Sequence, residues 1–313
     1  MLRHYLHPEL GYLRLSGPDR VDFLQRQTTN DVRLLSPTRG LTTVLTNPAA
    51  RILDVLQLLD EGDTIGIIPL PGRSHTTFNY LRKRIFFNDN VELSNASAHT
   101  LLVDLEGDTA PGFLRQHGIE PPPLDGVTSG QLGGVTVRLL AQPGLFGTGY
   151  RLLTRAGEPL IEQLTRAGIP PLSPAEREIL RVEAGLPAVD HELTETYTPH
   201  ETNLDAWISE TKGCYTGQEV LARQTTYDKV TRRMVGLRLE APVEHGARVT
   251  AGGKPAGAVT SAVVSPRLGP IALAVLKRPH NQPGTAVQVA SPSGDVPATV
   301  VPLPFSPSFR LHN

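Results

Sequence analysis

Only one cysteine, Cys214, occurs in the 313 residues of the chain. A lone thiol cannot close an internal disulfide or furnish the four thiolates of a stable iron–sulfur site, and it excludes Cys-x-x-Cys zinc chemistry. Any cluster it touched would need other ligands. An excess of one charge is missing too: 30 Lys and Arg face 31 Asp and Glu, and aromatics make up 5% of the chain. Neither a basic arm nor aromatic interleaving therefore points to a nucleic-acid partner. No apolar run nears the roughly 18 residues of a membrane span. The opening Met1-Leu2-Arg3-His4-Tyr5-Leu6-His7-Pro8 lacks the apolar core of a signal peptide. The expectation is a cytoplasmic protein with no membrane partner.

What is present is ordinary globular material, 39% hydrophobic and 19% charged, long enough for two or three domains. The lone cysteine stands inside Lys212-Gly213-Cys214-Tyr215-Thr216-Gly217-Gln218-Glu219, the least ordinary run in the chain. Thr216 and Glu219 have capping-box spacing, which predicts a helix from Gly217. Gly213 and Gly217 allow a tight turn or a close approach to a ligand. Lys212 and the helix start would place positive potential near the sulfur and favour thiolate. The plainer alternative is a small buried thiol under a loop.

Elsewhere the pattern alternates. A short helix is predicted after Gly17-Pro18-Asp19, with proline in its first turn, ending before Thr28-Thr29-Asn30-Asp31. Two strands meet at Asn47-Pro48 within 41–59, a helix covers 74–84, and strands are expected near 91–93, 101–105, 135–140 and 150–153, with a helix at 159–167. Arg82-Lys83-Arg84 reads as a solvated helix end. Gly144 to Gly149 fits no nucleotide fingerprint. Ser173-Pro174-Ala175-Glu176 combines cap, first-turn proline and capping box, so a helix should run to about Ala184 and stop at Gly185. Glu183 shares a face of that helix with Ile179 and Leu180. A carboxylate there needs a partner, either paired donors of a ligand or a nearby arginine.

Beyond Arg232-Arg233 short alternating runs separated by glycine and proline predict a small all-β domain, a barrel, with Gly252-Gly253 as a hairpin turn. Two regions result, 1–231 and 232–313, within an α+β architecture. Asp190, His191, His200, Glu201 and Asp205 lie in one polar loop without any recognised ligand spacing, so no metal site is assigned.

The run from Lys212 to Glu219 resembles the Lys-Gly-Cys-Tyr-x-Gly-Gln-Glu signature of YgfZ-type folate-binding proteins, relatives of the glycine cleavage T-protein. Asp22-Phe23-Leu24-Gln25 through Thr29-Asn30-Asp31-Val32 is similar to that family's N-terminal motif, and Arg181-Val182-Glu183-Ala184-Gly185 to its Arg-x-Glu-x-Gly element. Thr260-Ser261, Ser265-Pro266 and Ile271 to Ala274 resemble its C-terminal barrel, while 106–132 has no counterpart motif.

The resemblance implies a multidomain clover-leaf, aminomethyltransferase-like fold: two α/β parts, one discontinuous, and a small β-barrel around a central cavity holding tetrahydrofolate or a derivative. It places Glu183 against the pterin, with Arg181, Asn30, Tyr215 and Gln218 as further cofactor-binding residues. Cys214 and Lys212 would stand near the same cavity as candidate catalytic residues. The T-protein carries a paired acid that here aligns with Asp54-Val55, leaving Asp54 as the one candidate acid. Ala50-Arg51 also departs from the family's glycine-containing turn. Both departures weigh against aminomethyl transfer, because losing an acid/base group forfeits about 10²–10⁴-fold in rate. The implied function is a folate-dependent factor supporting assembly or repair of iron–sulfur enzymes, tRNA-modifying ones included, with those clients as transient partners. The alternative is a folate-dependent aminomethyltransferase or demethylase.

Overall fold

The computed structural model describes residues 2–155 and 157–305 and divides into two compact units. One contains the chain up to Pro48, Leu53–Leu172 and Trp207–Gln218; the other contains Ala49–Ile52, Ser173–Ala206 and the chain from Glu219 on.

The elements of the first unit, in chain order, are β1 (Arg3–Leu6), β2 (Leu13–Ser16), α1 (Arg20–Gln27), β3 (Leu41–Thr46), β4 (Ile52–Asp60), β5 (Thr64–Ile68) and α2 (Ser74–Arg82). There follow β6 (Glu92–Asn95), β7 (Leu101–Glu106), α3 (Ala110–Gln116), β8 (Val127–Leu132), β9 (Val135–Gly144), β10 (Gly147–Thr154) and α4 (Gly157–Arg166). They build two five-stranded sheets, ordered β1-β7-β10-β9-β8 and β3-β4-β5-β2-β6.

Side-chain alternation along each strand assigns the layers. Val103, Leu139 and Leu152 of the first sheet pack with Leu114 of α3 and with Leu160 and Leu164 of α4. Their neighbours Leu102, Leu140 and Leu153 point the other way, onto Tyr12, Leu59 and Ile68 beside the second sheet. That sheet's far face buries Leu56, Leu58 and Ile67 with Phe23 and Leu24 of α1 and Leu81 of α2. A one-residue slip in any of these strands would exchange its two buried faces, so the register is strongly specified. A polar network also crosses between the sheets: Arg151 of β10 grips Asp104 of β7 at 2.7 and 2.8 Å and reaches Gln57 of β4 at 2.5 Å. Burial alone would raise the Asp104 pKa, but Arg151 and His7 outweigh it and hold the carboxyl well below the usual range.

In the second unit α5 (Pro174–Ala184) begins with the anticipated capping box, Ser173 with Glu176. It stops at Gly185, whose φ of 70° is left-handed; a Cβ there would lie 2.9 Å from that of Leu303. Glycine answers both demands. After α6 (Gln218–Thr226) come β11 (Arg232–Leu239), β12 (Arg248–Ala251), β13 (Lys254–Ser265), β14 (Gly269–Lys277), β15 (Ala286–Val289) and β16 (Val296–Val301). These close into a barrel, β11-β14-β13-β12-β15-β16. Val235, Leu237, Val249, Leu276 and Val300 fill its interior. Burying such a side chain stabilises by about 1.5–3 kcal/mol, and Leu237→Ala would cost about 2–5 kcal/mol because a closed barrel cannot collapse onto the gap.

Several details differ from the sequence reading. Strands β1, β2, β5 and β8 and helix α3 were not anticipated; β1 and β2 are short runs whose partners are remote in sequence, and α3 carries Pro111 and Gly112. Pro18 precedes the cap residue Asp19 of α1 rather than entering its first turn. Helix α6 starts at Gln218, and the Glu219 carboxylate reaches forward to Arg223. Leu145-Phe146 is the two-residue turn between β9 and β10. Among the described residues no helix is long and apolar enough to cross a membrane.

Candidate functional site

In the first unit the motif around Cys214 is tied down on both sides of a two-residue tip. Lys212 is buried, and its Nζ donates to the carbonyls of Thr28 at 2.6 Å and Asn30 at 2.7 Å, while lying 5.0 Å from the centre of the Tyr215 ring. Burial pulls its pKa down to about 8, against the attraction of Asp31. The Tyr215 ring is also buried, which raises its phenol to about 12. The Thr216 amide donates to the Arg26 carbonyl at 3.2 Å, Thr46 Oγ1 donates to the Thr216 carbonyl at 2.6 Å, and Gln218 Nε2 reaches back to the Lys212 carbonyl at 3.4 Å. Gly213 and Cys214 alone stand out to solvent between the two buried anchors. The loop therefore presents an exposed thiol, and the reading of a small thiol buried under a loop is corrected. The Lys212 ammonium is engaged by main-chain oxygens.

Asn30 closes the loop that Lys212 pins. Its side-chain NH2 donates to the Thr42 carbonyl at 2.8 Å and its Oδ1 accepts from the Asp31 amide at 2.9 Å. Asp54 lies on β4 in the same unit and is 1% exposed. Its Oδ1 accepts from the amides of Val55 at 2.8 Å and Leu70 at 3.0 Å, and Oδ2 accepts from the Thr77 hydroxyl of α2. Desolvation is the dominant influence and, despite those donors, pushes its pKa up to about 7. Val55, the next residue of the strand, is also buried.

The second unit holds Glu183, 1% exposed, in the last turn of α5. Its Oε1 accepts from the Ser265 hydroxyl at the end of β13, and its Oε2 accepts from Arg267 in the turn before β14. The Arg267 side chain is 54% exposed. Of the two partners foreseen for this carboxylate, the arginine occupies it, supplied from 84 residues along the chain. Arg181, two residues before Glu183, is buried and fully engaged: by Glu178 at 2.8 Å, the Leu186 carbonyl at 2.6 Å, Ser261 at 2.7 Å and Glu192 at 3.4 Å. Its position joins α5 to the barrel strand β13.

The polar loop residues also have protein partners: His200 Nδ1 with Asp205 at 2.7 Å, Glu201 with Arg232 at 2.7 Å, and His191 Nδ1 with the Thr260 carbonyl at 2.8 Å. Sequence reasoning missed Arg267, Thr77 and the two carbonyls that receive Lys212. The one available signal was that a carboxylate on an aliphatic helix face demands a cationic or paired donor.

Comparison with known proteins adds a family to this geometry. Residues 8–212 match the GCVT N-terminal domain, and residues 232–306 match the glycine cleavage T-protein C-terminal barrel domain. The chain belongs to the glycine cleavage T-protein family. An aminomethyltransferase of Thermus thermophilus is 31% identical over 306 residues, covering 95% of this chain and 85% of that protein. A chloroplastic candidate transferase of Arabidopsis thaliana is 31% identical over 258 residues, covering 80% of this chain but 59% of that longer protein. The T-protein fold is shared with the crystal structure of the glycine cleavage system aminomethyltransferase T from Bartonella henselae, at a TM-score of 0.87 and 22% identity, over 100% of this chain and 88% of that one.

Proposed function

We propose that this T-protein family member binds tetrahydrofolate or a derivative and acts on its one-carbon unit as an aminomethyltransferase-type protein. The observation that carries the reading is the Glu183 carboxylate, buried to 1% exposure yet completed by an arginine side chain that is 54% exposed. A guanidinium and the adjacent ring N–H and amino group of a pterin present similar parallel pairs of donors to a carboxylate. With its side chain already 54% exposed, Arg267 can yield its place on the carboxylate to a pterin, so the charge need not be left unpaired during exchange. The names of the Thermus and Bartonella relatives support the same chemistry. Arg181 would serve by positioning α5, while Asn30, Tyr215 and Gln218 would shape the loop around Lys212.

Anaerobic titration calorimetry with tetrahydrofolate and its 5-formyl form tests the binding, using the native chain and Glu183→Ala. Saturable binding weakened by the substitution is the expected result, and no heat from the native protein would overturn it. Turnover is tested separately, by following methylene-tetrahydrofolate formation from amine donors. Asp54 has a pKa suited to acid/base work. Its enclosure by three donors requires that it be released before it could act.

A second reading is favoured by the Cys214 loop: a folate-dependent factor supporting assembly or repair of iron–sulfur enzymes, with the exposed thiol engaging clients. The YgfZ-like motif motivates it. Cells carrying Cys214→Ala should lose client-enzyme activity while folate affinity stays intact; undiminished client activity would refute the thiol's role.

A further inference from the structure

The first unit contains a cleft of about 580 Å³ between its two sheets, remote in sequence from the Cys214 loop and lined by none of its residues. That volume falls within the range of about 300–1,000 Å³ typical of small-molecule sites. The pairing of β8, β9 and β10 sets Ser129 opposite Arg138 and Arg138 opposite Leu153, a row across three strands whose side chains share one face. Arg155 follows Leu153 by two residues, just past the end of β10, and lines the same cleft. Opposite the row stand Tyr12 and Arg14 of the β2 region and Glu61 after β4. Gly66 of β5 makes room there, since a Cβ at that position would fall 1.9 Å from the Tyr12 hydroxyl.

The charges do not cancel. Among the described lining residues the one carboxylate is Glu61, and it is taken by Arg14 Nε at 2.7 Å, the Tyr12 hydroxyl at 2.8 Å and the Thr64 hydroxyl at 3.1 Å. Arg138 donates to the Asp60 carbonyl at 2.6 Å and has no carboxylate partner among the described residues. Arg155 makes no hydrogen bond or ion pair among the described residues and is exposed. Two guanidinium groups without an acid partner among the described residues thus border a cleft whose remaining wall includes Leu153, Pro159 and the Tyr12 ring. Guanidinium groups recognise carboxylate and phosphate bidentately, and the apolar wall suits a flat hydrocarbon body.

We propose that this cleft is a second small-molecule site, taking an aromatic or similarly planar apolar compound that carries a single oxyanion, with Arg138 and Arg155 holding the anion. The proposal stands independently of folate binding at Glu183, which lies in the other unit.

The probe is 8-anilinonaphthalene-1-sulfonate, followed by its fluorescence on the full chain, with benzoate, phenyl phosphate and neutral benzyl alcohol as competitors. Saturable binding of one equivalent is expected. Displacement by benzoate or by phenyl phosphate, and not by benzyl alcohol, supports the site and identifies the preferred anion. Arg155→Gln, which breaks no hydrogen bond or ion pair among the described residues, should weaken the probe by about tenfold, the scale of one charge-assisted hydrogen bond. Arg248→Gln, which removes an exposed charge on the barrel, and Glu183→Ala should leave it unchanged. Failure of the native chain to bind, equal displacement by the neutral alcohol, or equal weakening by Arg155→Gln and Arg248→Gln would each overturn the proposal.

Discussion

Asp54 and Glu183 are both carboxylates at 1% exposure, one on a strand of the first unit and one at the end of a helix in the second. Around Asp54 the donors are two main-chain amides and a buried hydroxyl, none of which can leave without moving β4, β5 or α2. Around Glu183 one donor is an arginine more than half in water. The first arrangement is closed, and it raises the pKa to about 7 because fixed neutral donors do not offset the lost hydration. The second can be opened by moving one side chain. Burial by itself therefore does not separate the two acids, whereas the replaceability of the partner does.

The strongest way to break this contrast is Asp54→Ala, which strands three donors and should lower the unfolding free energy by about 4 kcal/mol, read from urea denaturation. Asp54→Asn refines it through pH. Because the folded value of about 7 lies above the ordinary 3.8, the protonated carboxyl contributes stability that is fully present below pH 3.8 and is lost as pH rises through 7. The native chain should therefore lose stability relative to Asp54→Asn across that window and run parallel to it above. A flat difference would mean that Asp54 is not the closed acid described here.

Glu183→Ala should cost only about 1 kcal/mol of stability, since it strands the buried Ser265 hydroxyl while Arg267 is already more than half in water, yet it should reduce tetrahydrofolate affinity by roughly 30-fold, about 2 kcal/mol. An equal loss of stability and affinity would erase the distinction between the two acids. Lys212→Met keeps the aliphatic stem but loses two charged hydrogen bonds, for a cost of about 1.5 kcal/mol in thermal or urea unfolding. Here the pH sign is opposite. A lysine lowered to about 8 from 10.5 binds fewer protons folded than unfolded, so the native chain should gain on the variant as pH climbs from 8 to 10.5. The smallest effect is expected from Cys214→Ala, within about 0.5 kcal/mol as befits an exposed side chain. In the native chain that thiol should titrate fully with Ellman's reagent.

Local chemistry was legible wherever neighbours along the chain decide the outcome. The Ser173 to Glu176 capping box, the stop at Gly185, the two strands around Asn47-Pro48 and the alternating barrel runs all depend on residues within a turn or a hairpin of each other. The short strands β1 and β2 were not legible, because their register comes from Glu106 to Val103 and from Ile67 to Thr64, far along the chain. The site divided in the same way. Glu183 was visible as a carboxylate in need of a donor, but its choice of Arg267 was not. Lys212 was visible as a cation near a thiol in sequence, but its hydrogen bonds to the carbonyls of Thr28 and Asn30 were not.

The sequence by itself determined the α+β class with its terminal barrel and the kinship with the glycine cleavage T-protein, since motif spacing and hydrophobic periodicity are local properties. Tertiary structure alone decided which of those groups are already partnered and which can exchange. Hydrogen-bond partners at 2.6–3.0 Å are set by elements separated by 16 to 184 residues, as at Leu70 with Asp54 and Lys212 with Thr28. No local pattern encodes distances of that kind, because they arise only when separate hydrophobic faces have packed.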